Sequence, residues 1–211
     1  MRRTSPTLSV PLALLLIACG DRSDAGASPA AAKTDAAGPK SPFTPNDIVL
    51  DHEVRTLEGK PKSLAEYRGK ALLVVNTASE CGYTPQYAGL QKLYGEFRDR
   101  GLEVLAFPSD DFGGQEPGTN EQIRSFVDEN FQIEFPMFDK LHATGPEIAP
   151  LYKTLSERTG EGIRGEVKWN FTKFVVDADG KVVARFEPDV EPDDPRLRAA
   201  IEAALPKPGA S

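Results

Sequence analysis

Between residues 48 and 205 the chain alternates short apolar runs with stretches of helical periodicity. Ile48–Val54 reads as a strand, Leu57–Lys60 as a turn and Pro61–Leu64 as a second short strand, which together predict an N-terminal β-hairpin. Ala71–Asn76 is a continuous apolar run bounded by Gly69 and a polar stretch, the pattern of a strand buried on both faces. From Pro85 to Arg100, residues Tyr87, Leu90, Leu93, Tyr94 and Phe97 recur at helical spacing. Thr84 is placed to cap that helix, Pro85 suits its first position, and Gly101 supplies a stop. Leu102–Phe107 is a second buried strand. Strand, helix and strand in this order form a βαβ unit, so the two strands are expected to be parallel.

Phe107–Gly118 reads as a loop containing Pro, Gly and acidic residues. A second helix is expected over Asn120–Asn130, capped by Thr119 or Asn120, with Ile123, Phe126 and Val127 on one face. Phe135–Phe138 is a short extended piece, and Pro146–Glu157 a third helix. Lys173–Asp177 and Lys181–Phe186 flank Ala178-Asp179-Gly180, a hairpin signal. Pro195–Leu205 is a closing helix. The expected class is α/β with a thioredoxin-like order: a central mixed sheet flanked by helices, plus the N-terminal hairpin. That domain spans residues 47–206, with a tail at 207–211.

The first 46 residues carry a different pattern. Arg2 and Arg3 precede the apolar run Val10–Ala18, and small residues follow: a secretory signal over residues 1–18, too short to span a bilayer as a helix. It ends in Leu16-Ile17-Ala18-Cys19, which resembles a bacterial lipobox. That resemblance implies cleavage before Cys19, diacylglycerol on its thiol, and a third acyl chain on its amine. Residues 19–46 are small, polar and interrupted by proline, and read as a flexible tether. The expected location is therefore the bacterial cell envelope, exported and held to a membrane through Cys19.

Composition narrows the function. The formal charge is −7, so nucleic acid is an improbable partner, because an acidic chain repels a phosphate backbone. The chain has two histidines, His52 and His142, and two cysteines, Cys19 and Cys81, too few for a recognisable zinc cluster. Neither histidine sits where a Ser-His-Asp hydrolase needs its base, and both read as ordinary surface or turn residues.

With Cys19 lipidated, Cys81 is the one free thiol. It lies between a buried strand and a helix start, where backbone N–H groups and the helix dipole favour a thiolate, the nucleophilic form. Gly82 removes a side chain from beside the sulfur. On location alone, an inert buried cysteine is an equal reading. The residue three positions on is Thr84, so Cys-x-x-Cys dithiol exchange is excluded. Copper delivery lacks a second cysteine and a nearby histidine. The peroxiredoxin pattern is also missing, because Val74 and Ala78 stand where it needs Pro and Thr.

Three ordered blocks do have a counterpart. Asn76-Thr-Ala-Ser-Glu-Cys-Gly-Tyr-Thr84, Leu105-Ala-Phe-Pro-Ser-Asp-Asp-Phe-Gly-Gly-Gln-Glu-Pro117 and Trp169-Asn-Phe-Thr-Lys-Phe174 resemble the signatures of the glutathione peroxidase family, with similarity running from Ile48 to Leu205. The resemblance implies a redox tetrad of Cys81, Gln115, Trp169 and Asn170. The last three are uncharged donors able to stabilise a thiolate and the charge that develops on attack. Ser109-Asp110-Asp111 departs from the Cys-Asn-Gln common in the family. The helix matching the site of a resolving cysteine, Ile123–Asn130, has Val127 and no cysteine. The segment between Leu155 and Trp169 lacks the insertion of tetrameric members, which implies a monomer.

The expected function is a cysteine-type peroxidase that reduces hydrogen peroxide or organic and lipid hydroperoxides. It passes through a Cys81 sulfenic acid resolved by an external thiol, glutathione or a thioredoxin-like protein, with no metal or prosthetic cofactor. Two rivals are a thiol-disulfide relay or peroxide sensor, and a non-enzymatic thioredoxin-like binding module at the cell surface.

Overall fold

A strand covered on both faces must carry apolar side chains at consecutive positions, and the central strand of this protein does. The computed structural model describes residues 48–207. The elements are β1 (Glu53–Arg55), β2 (Pro61–Ser63), β3 (Ala71–Thr77), α1 (Gln86–Phe97), β4 (Leu102–Pro108), α2 (Asn120–Phe131), α3 (Pro150–Glu157), β5 (Lys173–Val176), β6 (Val182–Phe186) and α4 (Pro195–Ala204). All seven residues of β3 are buried, and so are all seven of β4.

The sheet runs β4-β3-β5-β6. β3 and β4 are parallel, while β5 is antiparallel to β3 and to β6. β1 and β2 form a separate antiparallel hairpin. Side chains alternate between two cores. Leu73 and Val75 of β3 join Leu90 and Phe97 of α1 and Leu197 and Ile201 of α4 on one face. Leu72 and Val74 join Phe107, Tyr152 and Phe174 on the other, with α3. This is a thioredoxin-like mixed sheet flanked by helices, as the sequence order predicts.

Two boundaries and one cap differ from the sequence expectation. Residues 49–51 form a 3-10 turn rather than strand, and only Glu53–Arg55 pairs. Val49 and Leu50 are both fully buried, which one face of an exposed hairpin cannot provide. They dock instead on the β5–β6 turn, where Val49 N–H donates to Gly180 O at 2.9 Å. Gly180 has φ +88°, and a Cβ there would lie 2.5 Å from Ile48 Cγ2. The third helix begins at Pro150 rather than Pro146. Gly145, at φ +80°, breaks the backbone before it, and proline takes the first helical turn. Thr84 makes no cap hydrogen bond to α1. Thr119 does cap α2, in a reciprocal box with Gln122. The residues preceding Ile48 and following Lys207, including the signal segment, Cys19 and the tether, lie outside the described residues.

Candidate active site

β3 delivers the chain to a tight turn over residues 78–84. Thr84 organises it: its hydroxyl donates to Ala78 O at 2.8 Å and accepts from Cys81 N–H at 3.1 Å. The hydroxyl is thus turned toward the cysteine loop and makes no cap bond to α1. Cys81 is buried, 7 % exposed, and free of any disulfide. Its sulfur accepts a hydrogen bond from Tyr83 N–H at 3.5 Å. A side chain at Gly82 would meet nothing within 4 Å, so the turn faces open space there.

The second block approaches from β4. Ser109 N–H donates to Thr77 O, and Glu80 N–H donates to Gln115 O at 3.0 Å, so the 109–118 segment is sewn to the cysteine turn at both ends. Between them the chain reverses through Gly113 (φ +75°) and Gly114 (φ +64°), a left-handed conformation natural to glycine. A Cβ on Gly113 would sit 3.6 Å from the Trp169 ring and 3.8 Å from Gln115 Cγ. The bend thus brings these two residues side by side.

The third block enters through β5. Asn170 is fully buried and its Nδ2 donates to Gln115 Oε1 at 3.1 Å. This bond occupies the oxygen of Gln115 and leaves its two amide N–H donors for other partners. Trp169 is 39 % exposed and leans on Phe112, with ring centroids 6.3 Å apart. Asn76, at the end of β3, holds the turn from below: its Nδ2 donates to Trp169 O at 3.0 Å and its carbonyl accepts from Phe171 N–H at 2.6 Å. Lys173, also fully buried, donates to Phe171 O at 2.9 Å. Burial pulls the Lys173 ammonium down to about 8, against Glu191, Asp189 and Glu187.

Hydrogen bonds therefore tie Gln115 to Asn170 and to the residue before Cys81, and Trp169 to the strand that leads into that turn. Asn76, Lys173 and Glu116 carry no role in the sequence reading. All three stand within the quoted blocks: Asn76 opens the first, Glu116 follows Gln115 in the second, and Lys173 lies in the third. His142 is exposed, as a surface residue should be, and its Nδ1 lies 2.6 Å from Asp111 Oδ1. That hydrogen bond, followed by the Asp111 charge, raises the His142 pKa. Asp111 Oδ2 also accepts from Ala143 N–H at 2.6 Å, and Asp110 accepts from Glu116 N–H at 2.8 Å. The two acids that depart from the family pattern thus work as loop fasteners.

Beside the cysteine turn lies a groove of about 460 Å3, bordered by Ser79, Glu80, Glu116, Pro117, Ile123 and Phe126. Glu116 is 1 % exposed, and burial pushes its carboxyl up to about 7, against hydrogen bonding by Ser79 and the charge of Lys140. Among the described residues no cluster of three His, Cys, Asp or Glu could hold a metal ion, and no helix is long and apolar enough to cross a membrane.

The glutathione peroxidase family profile matches residues 49–156. The chain is 44 % identical over 144 residues to a glutathione peroxidase of Lactococcus lactis subsp. cremoris, covering 68 % of this chain and 92 % of that protein. It is 43 % identical over 166 residues to a hydroperoxy fatty acid reductase of Synechocystis sp., covering 76 % and 97 %. Among solved structures, Trgpx in its apo form superimposes with a TM-score of 0.60 at 33 % identity, over 75 % of this chain and 95 % of that one. A thioredoxin-family thiol:disulfide interchange protein of Chlorobium tepidum aligns at a TM-score of 0.53 and 21 % identity, over 77 % and 95 %, and shares the fold. With three signature blocks meeting at the end of β3 and a family match over half its length, the chain belongs to the glutathione peroxidase family.

Proposed function

We propose that Cys81 carries the chemistry of this thiol-dependent peroxidase, with Gln115, Trp169 and Asn170 as its polar surround. The Cys81 thiolate attacks one peroxide oxygen. An S–O bond forms, the O–O bond breaks, and the departing oxygen takes a proton to leave as water or an alcohol. Cys81 is then a sulfenic acid. An external thiol attacks its sulfur and releases water, giving a mixed disulfide. A second thiol displaces Cys81 and leaves as the oxidised disulfide. The observation that carries this reading is the Asn170–Gln115 hydrogen bond, which holds two neutral amides beside the turn bearing the buried thiol. Such preorganised donors gain strength where water is excluded.

The reductant comes from outside the chain, glutathione or a thioredoxin-like protein, because Cys19 and Cys81 are its only cysteines and Val127 occupies the position of a resolving one. Similarity to a hydroperoxy fatty acid reductase supports lipid hydroperoxides alongside hydrogen peroxide. The signal over residues 1–18 and its Leu-Ile-Ala-Cys ending support attachment to a cell-envelope membrane through lipidated Cys19, where three acyl chains anchor firmly. The short 155–169 connection supports a monomer.

Cys81→Ser tests the assignment. It should abolish thiol-dependent peroxide consumption with the fold intact, and turnover above a few per cent of the parent would refute it. A mature N-terminus other than Cys19, read by mass spectrometry, would refute the anchor.

A further inference from the structure

Trp169 offers the site a single N–H, so the pose of its ring decides where that donor points. Its main chain is fixed, because Trp169 O accepts from Asn76 Nδ2 and from Thr172 Oγ1, each at 3.0 Å. Its ring is not enclosed. It is 39 % exposed and leans on Phe112, over the bend at Gly113. The pose therefore depends on how Phe112 is held relative to the chain that carries Trp169.

The holding contacts run through residues 142–144. Asp111, next to Phe112, has a largely buried carboxylate. It accepts from Ser109 Oγ at 3.0 Å, Ala143 N–H at 2.6 Å and Thr144 N–H at 3.3 Å, with His142 Nδ1 on its other oxygen. Thr144 turns its hydroxyl the other way and donates to Glu166 Oε1 at 2.8 Å. Glu166 lies three residues before Trp169, and its carbonyl accepts from Arg185 Nη2 of β6 at 2.9 Å. Arg185 also donates to Gly165 O, and its side chain is largely buried. Beneath these bonds Phe112, Ala143 and Val167 are buried in one core cluster. The contacts close a ring, from the indole through Phe112, Asp111, Thr144 and Glu166 back to the main chain of Trp169. Asp111 stands where the family pattern has Gln, so the anchor of this ring is part of the chain's own departure from that pattern.

We propose that Thr144 is a positioning residue for Trp169, whose hydroxyl closes this ring and keeps the indole in its pose against Phe112. The proposal rests on Trp169 being part of the Cys81 surround. The two anchors, the Asp111 carboxylate and the Arg185 guanidinium, are largely buried, whereas Glu166 is exposed. Opening the Thr144–Glu166 bond hands that carboxylate to water, so it costs little stability. It does release the segment before Trp169 to shift against Phe112, and a misplacement of about 1 Å is enough to weaken a group that acts on a transition state.

Thr144→Val keeps the shape and removes the donor, while Thr144→Ser keeps the donor. Trp169 is the chain's one tryptophan, so native emission and its quenching by acrylamide report its pose directly. In the full chain, Thr144→Val should shift that emission and raise the quenching constant with the thermal midpoint unchanged. Thr144→Ser should match the parent. Rapid mixing with peroxide should show Cys81 oxidation slowed roughly 3- to 10-fold by Thr144→Val, a part of what misplacing a supporting group can cost. In a Trp169→Ala background Thr144→Val should slow it no further, because residues that act through one another are not additive. Four results would overturn the proposal: parent-like emission and quenching in Thr144→Val, equal slowing with and without Trp169, no rescue by Thr144→Ser, or a displaced indole that leaves the rate untouched although Trp169→Ala lowers it. Failure of Trp169 as part of the Cys81 surround looks different. Trp169→Ala would then oxidise at the parent rate while the emission still answered to Thr144→Val.

Discussion

The 109–118 segment reverses direction through two glycines in the left-handed region, whereas the 169–171 turn does so through Phe171 at φ +66°. The first conformation is natural for glycine; the second costs a residue with a side chain about 1–2 kcal/mol. The fastenings differ accordingly. The glycine segment is held largely by side chains at its margin: Asp110 on Glu116 N–H, Asp111 on Ala143 N–H, and Lys140 on the Glu116 carbonyl. The Phe171 turn is held from inside, by the fully buried Asn76 and Lys173 and by a Phe171 ring that is itself fully buried. A strained turn persists only where its surroundings over-determine it. A strand-borne turn clamped at three points presents Trp169 and Asn170 in one fixed pose, and Gln115 is brought to that pose by the more adjustable loop.

The largest expected effects come from the residues the two regions contribute to the same site. Gln115→Ala and Trp169→Ala should each slow Cys81 oxidation by roughly 10- to 1000-fold in rapid-mixing experiments, the range for losing a charge-stabilising donor. If the turn is the rigid partner, Asn170→Ala should match them, since it also strips Gln115 of its partner. Unchanged rates in all three would show that the tetrad does not operate here.

Next comes the clamp. Lys173→Met keeps the stem and removes the buried ammonium from the Phe171 carbonyl. It should cost about tenfold in the peroxide step. The thermal midpoint should hold or rise, because the desolvation cost of a buried ammonium is gone. A loss of stability with normal kinetics would make Lys173 a core residue without influence on the turn.

Smaller still, Gly114→Ala should cost about 1–2 kcal/mol in denaturant titration, since alanine is strained at φ +64° with no neighbour to crowd it. A neutral substitution would mean that the loop relaxes at no cost, which sharpens the contrast with Phe171. Smallest is the pH response of the loop's outer fastening. Asp111 raises the His142 pKa, so their contact contributes fully below about 6.5 and is lost as pH rises through the higher folded value. Exchange protection at Ala143 N–H should fall over that window, and His142→Gln should remove the dependence.

Much of this was legible in sequence because it depends on spacing. The continuous apolar runs of β3 and β4 state that both faces are covered, Pro85 and Thr119 mark helix starts that the structure keeps within a residue, and Gly101 ends the 3-10 turn Arg98–Arg100 that prolongs α1. The 3-10 turn at Val49–Asp51 was not legible, because its cause is Gly180, some 130 residues away in sequence. Thr84 looked like a cap because a threonine before a proline usually is one. Only the three-dimensional turn shows its hydroxyl engaged with Ala78 and Cys81 instead. The proposed tetrad residues are singled out by their blocks, whereas Asn76 and Lys173, which hold the turn beside them, read as ordinary strand residues. Asn76 reaches the Trp169 carbonyl from a distant strand, while Lys173 folds back on the Phe171 carbonyl two residues before it, contacts that no periodicity encodes.

Cys81 is proposed to reduce peroxide with no partner thiol within its own chain. The most direct test is intact-mass measurement of the Cys19→Ala protein after one equivalent of peroxide and no added thiol. The predicted product is the monomer with one added oxygen, converted by a sulfenic-acid reagent to a single adduct at Cys81. A covalent dimer as the main product, or oxygen gained elsewhere with Cys81 still a free thiol, would contradict it.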